Sequence, residues 1–320
     1  MHAWLARDPA FASKVIAADP MGVIEYGEAD SLSLVQAHDV LNALKSVASV
    51  NPRFSKWERY SPKGIAHPAL IGALREIIVT SQTPVALRVL VLEAMKGSAI
   101  AADLSHELHA ILIDDEAAYI VRYAAGKALT AIPKWDEWLT LMPTWLERGD
   151  ETSVRLAIEL MDRIGYERFD DCLIAHLVLA HLGEKNHIGG VLMNLERNLP
   201  FHRLHPVLDV LADAAGSGGE TTFESSSELD DFAYRLVVRR LSTADVTPNQ
   251  LWSWLVPFKS RDGISVATAE LAQYLRAQES LRRAIQRHAL FEASGDQSLW
   301  ERAMFMSDRS GGLRPSPDIS

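Results

Sequence analysis

The sequence predicts an all-α protein built from helical pairs stacked in series, a solenoid of the α-α superhelix type. Three observations predict it. Apolar residues recur at three- and four-residue spacing almost everywhere, and clean strand alternation is absent. Helices that follow breaker residues begin near 67, 101, 134, 167 and 201, a period of about 33 to 34 residues. A second marker agrees: Leu87-Arg88, Val121-Arg122 and Val154-Arg155 lie 34 and then 33 residues apart.

In chain order, residues 1–66 read as a helical N-terminal segment and residues 67–215 as the run of pairs. "HPALIGALREIIVT" from 67 is followed, after "SQ", by the Pro-led "TPVALRVLVLEAMKG". "AADLSHELHAILID" from 101 pairs with "AAYIVRYAAGKALTAI", and "KWDEWLTLMPTWLER" after Pro133 pairs with "ETSVRLAIELMDRIG". "ERFDDCLIAHLVLAHL" from 167 precedes "KNHIGGVLMNLERN", and "FHRLHPVLDVLADAAG" starts at 201. The pattern then stops. Residues 216–231, "GSGGETTFESSSELDD", carry five acidic residues, no basic ones and abundant Ser and Gly, which predicts a flexible acidic loop. Helical patterns resume over 232–320, read as a continuation of the array.

Tetratricopeptide and ankyrin units share this period, but their signatures are missing. "DDEAAYIVRYAAGKAL" instead resembles HEAT-like units, whose second helix carries a hydrophobic-Arg pair followed by small residues. The small residues have a physical reason, because each unit buries its stripe only against its neighbours. Alanines at 124, 125 and 128 allow adjacent helices to approach where bulkier side chains would separate them. The ladder Arg88, Arg122, Arg155 has two readings. Each guanidinium ties an acidic or carbonyl group in a neighbouring loop, such as Asp115 or Asp150, or the three form a positive line toward an anionic partner. The first is preferred, since the same face carries Glu93 and Glu159.

Composition bounds the function. With 320 residues, 48% hydrophobic and 23% charged, the chain has the makeup of a soluble globular protein. A net charge of −10 argues against wholesale polyanion binding, which needs a basic face. Cys172 is the single cysteine, so no intramolecular disulfide or Cys-based zinc site forms. It lies in the apolar run "DCLIAHLVLA" and reads as a buried small hydrophobe in a reducing cytoplasm. No apolar run reaches the roughly 18 residues of a membrane helix, so no membrane partner is expected.

No catalytic constellation emerges, and none is assigned, nor is a cofactor or a metal. Gly-x-Ser-x-Gly, Walker A and Gly-x-Gly-x-x-Gly are all missing. His106 with His109, His202 with His205, and His176 with His181 lack a His-Glu-x-x-His frame or a third ligand, so surface or capping roles are expected. The pairs Asp114-Asp115, Asp170-Asp171 and Asp230-Asp231 fall at predicted helix starts and read as caps. Trp135, Trp138, Trp145, Trp252 and Trp254 read as core or inter-repeat packing rather than an exposed partner-binding stripe.

One segment has binding chemistry. In "NPRFSKWERYSPKGIAHP", residues 51–68, Arg53, Lys56, Arg59 and Lys63 interleave with Phe54, Trp57 and Tyr60. Basic groups beside aromatic faces suit an anionic ligand, a partner or nucleic acid, so Arg53, Lys56, Trp57, Arg59 and Lys63 form the candidate patch. The plainer reading, an inter-helix connection pinned by its aromatics, is preferred.

The run "WLARDPAFASKVIAADPMGVIEYGEADSLS", "VLNALKSVASVNPRF" and "GIAHPALIGALREII" resembles the region that follows the NTPase core in large bacterial NACHT/STAND-type ATPases. That resemblance implies a HEAT-like sensor or scaffold region, protein partners, oligomers formed through a parent protein, and a role in antiphage defence. A Walker A would then lie upstream. Both ends read as cut: Met1 leads into "HAWLARD", and "GGLRPSPDIS" offers no capping helix, so the expectation is a piece of a longer protein. The alternative is a free-standing HEAT-like adaptor that binds protein partners on its concave face.

Overall fold

Among the residues that the computed structural model describes (3–26, 31–53, 62–183, 190–216, 227–243, 245–258, 266–293 and Leu313), 78% are helical and none forms a strand. Packing divides the chain into two compact units, Met1–Glu137 and Trp138–Ser320. This division falls inside the predicted run of pairs, not at 66 or 216.

The first unit opens with a short 3₁₀ turn, then α1 (Ala12–Ala18), α2 (Pro20–Tyr26) and α3 (Leu34–Val50). The start of α3 is fixed by a capping box in which Ser33 accepts from the Gln36 backbone and Gln36 reaches back to the Ser33 N–H. Gln36 also donates to the Ala6 carbonyl at 2.7 Å, which fastens the N-terminal turn. The predicted pairs follow: α4 (Ile71–Val79) with α5 (Val85–Met95), then α6 (Ala99–Asp103) and α7 (Ser105–Ile113) with α8 (Tyr119–Thr130). The helix expected from 101 is thus broken at Leu104, which is fully buried. Within this unit α4 packs on α7 and α5 on α8, so first helices meet first helices and second meet second.

In this arrangement α8 is in contact with both α7 and α5. That accounts for its alanines. Ala124, Ala125 and Ala128 are all buried, as is Gly126, where two neighbours leave room for little beyond a methyl group. Ala125→Leu is therefore expected to destabilise the unit by about 1–3 kcal/mol through overpacking. A lower urea midpoint by circular dichroism is the expected reading; an unchanged midpoint would show that the helices have space to spare.

The second unit holds α9 (Trp138–Arg148), α10 (Glu151–Ile164), α11 (Asp171–Gly183), α12 (Met193–Asn198), α13 (Phe201–Gly216), α14 (Ser227–Leu241), α15 (Pro248–Leu255), α16 (Val266–Ala277) and α17 (Glu279–Arg287), the last running into a π turn, His288–Glu292. Its packing alternates. α9, α11, α13, α15 and α17 each touch the next of that set, and α10, α12, α14 and α16 do the same. Two rows of helices result.

Several boundaries moved. Lys134 has a left-handed backbone (φ 59°), so the helix expected from 134 begins at Trp138 instead. Residues 184–189 lie outside the described residues, and the helix expected after Gly183 is described only as α12, preceded by Gly190 at φ 89°. The acidic loop predicted to end at Asp231 gives way to helix at Ser227, because Glu228 and Asp230 occupy the first turn of α14 and complement its dipole. Residues 217–226 lie outside the described residues. Asp150 caps α10 by accepting from the Ser153 N–H at 2.9 Å, and Asp170 caps α11 through the Leu173 N–H at 2.6 Å. Asp114, by contrast, closes the α7–α8 turn through the Glu116 N–H.

Candidate functional site

The predicted basic-aromatic patch is not assembled by the described residues. Arg53 is exposed just beyond α3, in a turn closed by its N–H donating to the Asn51 side chain at 3.2 Å. Lys56, Trp57 and Arg59 lie outside the described residues, and Lys63 is described only as the backbone opening a 3₁₀ turn, Lys63–Ile65.

The arginine ladder resolves into ties to helix ends. A helix leaves its last carbonyls without an internal partner, and a cation placed there satisfies both hydrogen bonding and the helix dipole. The Arg88 Nε donates to the Ile78 carbonyl at 3.1 Å, near the end of α4. The Arg122 Nε donates to Leu112 at 2.8 Å, near the end of α7, with Asp115 accepting from another nitrogen at 3.2 Å. Both ties reach ten residues back, from arginines at 88 and 122. Burial lowers the Arg88 guanidinium below the ordinary arginine range, and the Asp114 charge opposes that. Arg155 departs from the ladder. Gly149, in left-handed conformation, already donates to the equivalent Trp145 carbonyl, and the Arg155 Nε turns to Glu159 at 2.8 Å.

The second unit uses the same device at positions the periodicity does not reveal. Arg203 on α13 donates from Nε to Asp171 at 2.7 Å and from its terminal nitrogens to the carbonyls of Tyr166 (2.8 Å) and Phe169, in the connection before α11. Arg239 donates to the carbonyls of Glu196 and Leu199 at the end of α12. Arg282 donates to the Arg276 carbonyl at 3.1 Å near the end of α16. No spacing in the sequence marks these three, because each serves an irregular connection.

Tyr166 sits within the same cluster. Its burial, then the charge of Asp162, push the phenol well above the usual tyrosine range, with Arg239 opposing. The protonated form is favoured in the fold, so this contribution is intact at neutral pH. It is lost as pH climbs through about 10, where the unfolded chain ionises, toward the folded value. Tyr166→Phe is expected to lose stability less steeply than wild type between about pH 9 and 11 in urea titrations. Parallel slopes would contradict this.

His109 and the five tryptophans named above make packing contacts. His109 meets Glu137 at 3.1 Å and stands edge-on to Trp135, with ring centres 5.6 Å apart. Among the described residues no group of three or more His, Cys, Asp or Glu side chains could hold a metal. Trp135, Trp138, Trp145, Trp252 and Trp254 are all buried, as packing required. Cys172 is exposed, which corrects the expectation of a buried thiol: α11 turns Leu173, Ile174 and Ala175 inward and leaves position 172 outside.

One concavity joins basic and aromatic groups. Phe201, His202, His205 and Pro206 at the start of α13, with Arg240 and Thr243 at the end of α14, line a groove of about 420 Å³. His202 meets Glu167 at 3.3 Å. His205 lies 3.1 Å from Asp209 and 3.3 Å from the Gln250 amide, edge-on to Trp254. Comparison with protein-family models, curated proteins and solved structures finds no match. Function therefore rests on the chain's own features. No helix among the described residues is long and apolar enough to cross a membrane.

Proposed function

We propose that this chain is a helical-repeat recognition scaffold of the HEAT-like superhelical type, acting as the sensor or scaffold region of a larger bacterial STAND-type defence ATPase. The repeated tie supports the helical-repeat part of the reading, and the ATPase part rests on the sequence resemblance. Arg88 and Arg122 hold the ends of α4 and α7 in the same way, one period apart, as expected where one unit is stacked on the next. Alternating rows in the second unit support the same architecture. Stacked pairs offer extended surfaces, and their usual work is protein recognition.

The test is the coding sequence read in frame upstream of Met1. A Gly-x4-Gly-Lys-Ser/Thr motif that follows a strand and opens a helix is the expected finding. Translation initiating at Met1 with no such motif would remove the ATPase and leave a free-standing adaptor.

A further inference from the structure

We propose that the groove between the start of α13 and the end of α14 binds an acidic residue flanked by apolar ones, presented by a protein partner. The inference rests on the recognition-scaffold reading and names where and what that scaffold grips.

The lining divides into groups already engaged and groups left over. Arg239 lies with its guanidinium 5.1 Å from the Phe201 ring centre while its N–H groups hold the Glu196 and Leu199 carbonyls, so it braces the ring. His202 and His205 are held by Glu167 and Asp209. Arg240 is different. It lines the groove, and among the described residues its guanidinium has no ion pair. Beside it Phe201, half exposed at 54%, and Pro206 present apolar surface. A guanidinium fork matches a carboxylate in two parallel hydrogen bonds, and the ring and the proline suit an aliphatic or aromatic neighbour of that residue.

Charge decides against a phosphate backbone. The carboxylates of Glu167 and Asp209 stand near the rim, both more than half or half exposed, and the whole chain carries −10. A string of phosphates would be repelled there, whereas a single carboxylate needs only Arg240.

The probe is a synthetic peptide with Leu-Glu-Phe between Gly-Ser flanks, its twin with Gln for Glu, and a thymidine oligonucleotide. The readout is the ring C–H resonances of His202 and His205, assigned with His202→Gln and His205→Gln. The Glu peptide is expected to shift both saturably, and the Gln twin to bind at least about tenfold more weakly. Arg240→Gln is expected to remove the shift without changing the unfolding transition, and Phe201→Ser, at an exposed position, to weaken it independently. Equal binding of the twin, full binding by both variants, or a preference for the oligonucleotide would overturn the proposal. An upstream ATPase motif together with a silent groove would sink this inference and leave the scaffold reading standing.

Discussion

Arg203→Ala is expected to destabilise the second unit by about 3–5 kcal/mol, the range seen when one partner of a buried charge network is removed. The side chain is 10% exposed and holds Asp171 together with the Tyr166 and Phe169 carbonyls. Its loss strands two carbonyls and the partly buried Asp171 carboxylate in the first turn of α11. Arg203→Lys should recover only part, because an ammonium reaches Asp171 as a point charge and cannot fork onto both carbonyls. Hydrogen exchange is the suitable measurement, since two compact units need not unfold together. Faster exchange in α11 and α13, with α5 and α8 unchanged, is the expected pattern. Lysine as good as arginine would show that charge alone matters there.

Trp254→Ala is the second large effect, also about 3–5 kcal/mol, mostly from the cavity left in a fully buried site. The indole N–H donates to Asp209 at 2.7 Å, and the ring meets His205 edge-on, with centres 5.1 Å apart. Asp209 is half exposed and can take water in place of that donor, so the polar loss is the smaller part. Trp254→Phe separates the two: it keeps most of the ring and should cost only about 1 kcal/mol beyond the lost volume. Exchange protection in α13 and α15, which pack together, would fall with the alanine variant and largely survive with phenylalanine. Equal losses from both variants would place the weight on the hydrogen bond instead.

These two residues mark the limit of what the sequence discloses. Arg88 and Arg122 were legible as recurring arginines because they fall at a fixed period, whereas the helix-end carbonyls they hold came only from the structure. Arg203 performs the same task across an irregular turn, and its partners lie 32 to 37 residues away with no periodic sign. The candidate patch at 51–68 rests on local composition. Only Arg53 among its five members has a described side chain, exposed and held in a turn by its own backbone. The groove joins residues about 40 positions apart that no local pattern connects.

The sequence by itself determined the helical class and placed buried alanines at 124, 125 and 128. Those are consequences of apolar periodicity and of crowding between neighbouring helices. Only the tertiary structure decided that Cys172 faces outward, that α14 begins at Ser227, and that Arg240 is left without an ion pair among the described residues beside Phe201. Each of these depends on which side of a helix its neighbours cover. Periodicity fixes the spacing of a stripe, while the contacts between helices choose where that stripe lies.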